Sequence, residues 1–153
     1  MPHIHELIDF VVTAYIVYDG KVLLIHHKGL DLWLPIGGHI ELNEDPEEAL
    51  YREVKEECGL EIELISTSPN YSGKDAKFMP IPNFLDIHNI TDAHRHITLE
   101  YVAKAKNNEV KLNEEEHYDI RWFSEEDLNN FPLRDNVKFL ANEAIKIVKA
   151  KDA

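Results

Sequence analysis

Three glutamates, Glu53, Glu56 and Glu57, stand at positions i, i+3 and i+4 of one segment. On a helix this spacing stacks their carboxylates on a single face. Like charges so close repel, and the arrangement is costly unless a cation sits among them. A few carboxylate oxygens with open coordination positions suit Mg²⁺, which keeps water and takes substrate phosphates as further ligands. Zinc fits less well because the trio brings neither Cys nor His, and the spacing is not that of an EF-hand calcium loop. Metal beside a phosphate polarises the phosphoryl group and lowers the pKa of a bound water, which points to attack by water on a phosphoanhydride. Without metal, the crowded carboxyls should titrate above their ordinary range. A solvated acidic face is the plainer explanation for the run from Glu44 to Glu57. It accounts for the outer acids better than for the trio, which borders the side that must pack.

The elements that would hold the trio can be read around it. Asp45 fits a helix N-cap, Pro46 the first helical position and Glu48 the reciprocal half of a capping box. Gly59 follows the last periodic residue and marks the stop. Leu50, Tyr51, Val54 and Cys58 share one side of the wheel and are expected to face a sheet, with Ala49 beside the acids. Arg52 is one turn from Glu48 and Glu56 and is expected to pair with one of them.

Residues 8–18 and 21–27 read as strands joined at Asp19-Gly20, the dipeptide favoured in a type I′ hairpin turn. His26 and His27 are adjacent, so they point to opposite faces and make poor joint ligands. His39–Leu42 is expected to be a short strand after the Gly37-Gly38 pair. Further strands are expected at 60–66, 83–90, 95–105 and 118–123. Ser124 should cap a short helix, and a last helix should run from Asp135 to about Ala150. The long stretch 67–82 reads as a loop, a lid carrying Tyr71, Lys74, Lys77 and Phe78 or a plain surface segment. The order implies an α/β or α+β domain with a mixed sheet between helices, a single domain over residues 1–153.

The chain has 29 acids against 16 Lys and Arg, a formal net charge of −13. That excludes duplex nucleic acid as an expected partner, since phosphate backbones need basic surfaces. Small phosphorylated ligands remain compatible if metal bridges the two negative partners. Cys58 is the single cysteine and fits a reducing, cytoplasmic setting. The start, MPHIHELIDF, lacks the features of a signal peptide, and no apolar run is long enough to span a membrane. A homodimer stays compatible with the composition.

Gly38, Glu44 and the run Arg52-Glu53-Val54-Lys55-Glu56-Glu57-Cys58-Gly59-Leu60 match the pattern GX5EX7REUXEEXGU at every defined position. This segment resembles the Nudix box, and the chain is identified as similar to the Nudix hydrolases. One departure is Pro35-Ile36-Gly37-Gly38, where many relatives place proline directly before the glycine pair. The resemblance implies an α/β/α sandwich and Mg²⁺- or Mn²⁺-dependent hydrolysis of a nucleoside diphosphate linked to another moiety. It makes Glu53, Glu56 and Glu57 the principal metal ligands, with Glu44 assisting through water. Arg52 would orient a catalytic glutamate, and the Gly37 carbonyl is a further candidate ligand. For the general base, Glu53, Glu100 and Glu116 all stay open. A Nudix-fold module that binds a nucleotide without cleaving it is the alternative, against which the intact trio argues.

Outside the box, His94, His96, Thr98 and Glu100 alternate along one strand and share a face. They would contact phosphate or metal if that face lines the cleft, and otherwise form a polar sheet surface. Trp33, Phe78 and Phe84 are candidates to stack on a base or to sit in the core. His39, beside the glycine pair, is a candidate substrate contact. Glu57→Gln is expected to abolish turnover and leave the fold intact.

Overall fold

The computed structural model describes residues 7–71 and 73–153. The expectation for the extreme N-terminus therefore falls partly outside the described residues, as does position 72 of the long loop. Among the described residues the order is β1 (Ile8–Tyr18), β2 (Lys21–His27), β3 (Leu32–Leu34), β4 (Ile36–His39), α1 (Pro46–Glu57), β5 (Ile62–Leu64), β6 (Phe84–Thr91), β7 (His94–Ala105), β8 (His117–Phe123), α2 (Glu125–Asn130) and α3 (Asp135–Asp152).

β1 and β2 turn at Asp19 and Gly20, with φ of 48° and 72°, as a type I′ turn requires. After Val17↔Val22 the two strands part, and β4 takes the place beside β1 with Ala14↔Ile36 through Val11↔His39. On its other edge β1 runs parallel to β7 from Ile8↔Arg95 to Val17↔Lys104. β6 and β5 pair antiparallel with successive halves of β7, and β8 and β3 pair with β2. One mixed sheet results, split where β2 leaves β1.

Alternation along β1 serves both faces of this sheet. Val12, Ala14 and Ile16 join a core with Leu50, Val54 and Cys58 of α1, whereas Tyr15 and Val17 join one with Leu128 of α2 and Val137, Leu140 and Ala144 of α3. Helices on both faces of a mixed sheet give the α/β/α sandwich. Fully buried Leu50 and Val54 each contribute about 1.5–3 kcal/mol to docking of α1. Asp45 and Glu48 form the reciprocal capping box at its start, and Gly59 at φ 71° ends it. The cap is worth about 1 kcal/mol.

Several boundaries differ from expectation for physical reasons. The strand expected at His39–Leu42 lies instead at Ile36–His39, because the glycine pair itself is drawn into the ladder with β1. Ile36 is fully buried there, which accounts for an apolar residue directly before the glycine pair. Tyr51 is 42% exposed, and Ala49 is fully buried in its place on the docking side of α1. β5 covers three residues of the expected 60–66. The loop after it is tied to the sheet, with Asn83 Nδ2 donating to Ile65 O at 2.7 Å and Tyr101 Oη to Pro80 O at 3.0 Å.

Gly37 is where this architecture tolerates no side chain. A Cβ there would lie 2.9 Å from Thr13 Cα and nearer still to the Val12 carbonyl. Backbone cannot yield as a flexible side chain would. Gly37→Ala should lower the unfolding free energy by about 3 kcal/mol, read from urea midpoints at constant m-value. An unchanged midpoint would contradict the close approach.

Candidate active site

Glu53, Glu56 and Glu57 project from the last turns of α1 into one open cavity, as their helical spacing requires. Its wall also includes Gly37, Gly38 and His39 of β4, Arg52, Glu41, His27, Lys28 and the Glu115-Glu116 pair before β8. Six acids thus face two permanent cations.

Each acid of the trio has a different environment. Glu57 is 2% exposed, and both of its oxygens are held. Gly37 N–H donates to Oε1 at 2.8 Å, and His117 Nε2 lies 2.7 Å from Oε2. Glu56 is the exposed member of the trio. Glu53 lies against Gly38, where a Cβ would come within 2.6 Å of its Cδ. The second glycine of the pair therefore makes room for the carboxylate, while the first makes room for the backbone.

Arg52 organises the outer part of the site. Its Nη2 and Nε bind Glu44 in a bidentate pair at 2.7 and 3.0 Å, and Nη2 also donates to the His39 carbonyl at 3.1 Å. Nη1 reaches Glu53 at 2.9 Å and Glu56 at 3.3 Å. The expected Glu56 pairing is present, and Glu48 is occupied in the cap instead. Arg52 holds the Glu44 carboxyl below its usual range. Glu44 does not line the cavity; it anchors Arg52 and accepts from Glu41 N–H at 2.9 Å.

One guanidinium shared among three acids leaves the trio short of positive charge. Burial, then Glu57, pushes the Glu53 carboxyl up to about 8 against the pull of Arg52, and Glu56 adds to the rise. Carboxylates crowded into an open cavity with an uncompensated charge fit a divalent metal, the oxygen donor set being of the Mg²⁺ or Mn²⁺ type. Glu57, Glu116 and His117 form a further acid–imidazole group whose ligand atoms lie within 4.8 Å of one another.

Glu116, one of the three base candidates, is therefore brought to the trio. Glu100 is not. It lies buried in a second cavity of about 850 Å³, on the sheet face that carries α3. Burial, with Asp86 beside it, pushes its carboxyl up to about 10. A carboxyl raised so far is poorly suited to take a proton from water there. The same cavity receives His94, His96 and Thr98, so this face of β7 lines a cleft instead of forming a polar sheet surface. His96 is held down to about 4, first by burial and then by neighbouring His39 and His94. His27, Gly37, Gly38, His39 and Glu57 line both cavities, which meet at the split between β1 and β2.

The aromatic candidates go elsewhere. Trp33 stacks on His26 with ring centroids 5.1 Å apart and packs edge-on against Phe123 and Phe131. Phe78 is exposed and meets Tyr71 at 5.7 Å, lining neither cavity. Its loop lies by the start of α1, where Lys77 Nζ is 2.8 Å from the capping Asp45. The lid expected of residues 67–82 is thus not over the acids. Sequence reasoning did not single out His117 or Asp9. His117 opens β8 one residue earlier than expected and is 1% exposed; its only signal was a histidine adjoining an acidic run.

This geometry matches a known family. The NUDIX domain family profile covers residues 9–143. The chain belongs to the Nudix family. It is 32% identical over 103 residues to the nucleoside triphosphatase NudI of Enterobacter sp. (strain 638), spanning 67% of this chain and 69% of that protein. It is 52% identical over 42 residues to the RNA pyrophosphohydrolase of Halorhodospira halophila, a match spanning 28% of this chain and only 23% of that protein's length. A Nudix-family hydrolase from Clostridium perfringens superposes with a TM-score of 0.78 at 34% identity, over 92% of this chain and 97% of that one. A MutT Nudix hydrolase from Burkholderia pseudomallei gives a TM-score of 0.66 at 25% identity, over 94% and 99%. The chain has the family's α+β sandwich, and no helix among the described residues is long and apolar enough to cross a membrane.

The raised Glu53 carboxyl has a thermodynamic consequence in metal-free protein. Between its ordinary value of 4.5 and about 8, the folded state keeps a proton that the unfolded chain releases. Its contribution to stability must therefore fall as pH rises through that window. His96, held down to about 4, opposes the Glu53 contribution below its ordinary 6.5. In chelator-treated protein the decline should therefore be read between pH 6.5 and 8, and Glu53→Gln should remove much of that slope. Part will remain, because Glu100 contributes the same sign up to about 10. Urea titrations at stepped pH check this; parallel profiles for parent and variant would count against the assignment.

Proposed function

We propose that this Nudix hydrolase cleaves a phosphoanhydride bond of a nucleoside diphosphate linked to another moiety, with Mg²⁺ or Mn²⁺ as cofactor. The reading is carried by the Glu53, Glu56 and Glu57 carboxylates gathered in one cavity beside the glycine strand. Bound there, the metal would neutralise phosphate charge and polarise the phosphoryl group under attack. Glu53, Glu56 and Glu57 would hold it, with the Gly37 carbonyl a further candidate.

The chain's own groups take the remaining roles. Arg52 fixes Glu53 and Glu56 through Nη1 while Glu44 fixes Arg52. Glu44 thus acts here through Arg52. Gly37 N–H and His117 orient Glu57. For the proton of the attacking water, Glu116 is the acceptor we favour over Glu100, since it is exposed and adjoins Glu57 whereas the Glu100 carboxyl is pushed up to about 10. Glu53 remains the other acceptor.

The two adjoining cavities suit the two halves of such a substrate. The diphosphate fits the acid cavity through metal, and the second, whose walls include Leu34, Val11 and Val137, suits a less polar portion. His39 stands between them as a substrate contact, and His96 and Thr98 lie further in. A nucleoside triphosphate is the first class to assay, supported by the relative named a nucleoside triphosphatase; ADP-ribose, nucleotide sugars and dinucleoside polyphosphates complete the set. A cytoplasmic setting is supported by the single cysteine being free and buried.

Glu57→Gln is a poorer test than its helical position suggested. An amide there would disturb the pairing to Gly37 or His117, so lost activity would mix with altered structure. Glu56 is exposed and free of such ties to the sheet. Glu56→Gln should reduce Mg²⁺-dependent turnover by about 100-fold or more while its urea midpoint stays near that of the parent. Product masses and released phosphate or pyrophosphate across the substrate set, with Mg²⁺ and with Mn²⁺, provide the readout. Metal-independent turnover, or parental turnover in Glu56→Gln, would overturn the proposal.

A further inference from the structure

On the sheet face that carries α3, neighbouring strands gather a row of imidazoles around one buried carboxylate. Strand pairing sets Asp9 of β1 opposite His96 of β7, and His96 opposite His88 of β6. His39 of β4 lies opposite Val11, two residues along β1 from Asp9 and therefore on the same face. Asp9 is 7% exposed. Its Oδ2 lies 3.0 Å from His94 Nε2 and 3.3 Å from His39 Nε2. The His96 ring meets those of His94 and His39 edge-on, with centroids 5.1 Å away in both cases. One ligand atom from each of Asp9, His94 and His96 lies within 4.8 Å of the other two.

This donor set differs in kind from the glutamate trio. Two imidazole nitrogens and one carboxylate oxygen suit zinc and its neighbours, whereas Mg²⁺ prefers oxygen alone. Bonds of about 2.0–2.1 Å to a tetrahedral zinc place its ligands roughly 3.3 Å apart. The Asp9–His94 separation is already close to that, and His96 needs only side-chain adjustment. His39 and His94 approach Asp9 directly, and His96 lies beside both rings.

We propose that Asp9, His94 and His96 form a second metal site, selective for a zinc-class transition metal over Mg²⁺. Its fourth coordination position faces the cavity of about 850 Å³ that all three residues line. The site is separate from the carboxylate trio, and it borders the cavity assigned above to the less polar portion of the substrate. Filling it would clasp β1 to β7 beside that cavity and place a Lewis acid there.

The test is binding of Zn²⁺ to the full, metal-stripped chain by titration calorimetry in excess Mg²⁺, with Co²⁺ absorption as a ligand-field readout. The parent should take up one tight equivalent that Mg²⁺ does not displace. The double variant His94→Gln/His96→Gln, and separately Asp9→Asn, should bind it at least about 100-fold more weakly, because even outer-shell losses reach that size. Glu56→Gln/Glu116→Gln should retain it, which separates this site from the trio and from the Glu57–Glu116–His117 group. Circular dichroism checks folding, and if the double variant fails to fold, Asp9→Asn and His94→Gln alone decide. No tight equivalent in the parent, undiminished binding in folded variants, or loss in Glu56→Gln/Glu116→Gln would each overturn the proposal.

Discussion

The carboxylate of Glu57 joins three elements that are distant in the chain. It leaves the end of α1, accepts from the backbone of β4 at Gly37 and meets the first residue of β8 at His117. A buried charge is costly unless it is paired and hydrogen-bonded, and here each oxygen has its own partner. Those partners require that β4 lie tight against β1, that α1 dock at one height, and that β8 reach the split in the sheet. Residue 37 must be glycine for the first of these, and Leu50 and Val54 secure the second. Much of the local architecture can be read as what it takes to keep this one side chain in place.

Around it the charge is graded. Glu57 is fully tied, Glu53 is half satisfied by Arg52 and pushed upward, and Glu56 faces solvent. Arg52 is itself held by Glu44 outside the cavity, so its position does not depend on the trio. That separates the part of the site that must be rigid from the part that must stay open. The pairing of an acid cavity with a less polar one at the same sheet split lets a single chain handle a charged and a less charged portion of one ligand without long inserted loops.

The features legible in the sequence were those set by local rules. The type I′ turn, the capping box of α1, the stop at Gly59 and the alternation on β7 follow from residue chemistry within a few positions, and all appear as expected. The helical stacking of Glu53, Glu56 and Glu57 belongs to the same class. What escaped was decided by tertiary contact. Tyr51 has helical periodicity for burial, but it borders an open groove beside β5 and stays exposed, while Ala49 is buried. The glycine pair reads as a turn until β1 is beside it, when only glycine allows the strand. His117 and Asp9 look unremarkable singly, because their importance arises from partners on other strands. Glu44 sits at the motif position of a ligand, yet an arginine eight residues on claims both of its oxygens.

The parallel register of β1 with β7 bears on how the molecule comes into being. The strand that begins at Ile8 finds its neighbour only when the chain has reached Arg95 and beyond, whereas the β1–β2 hairpin closes over a few residues. Loop-closure entropy makes such distant pairing a slow event. Asp9 and Glu57 gain His94, His96 and His117 only from later segments, so the Asp9–His94–His96 group cannot form in a short N-terminal fragment, whereas the glutamate trio, Arg52 and the glycine pair all lie within residues 37–57. An ion bound by Asp9, His94 and His96 would therefore act as a late lock on an assembled sheet and not as the seed around which the sheet collects.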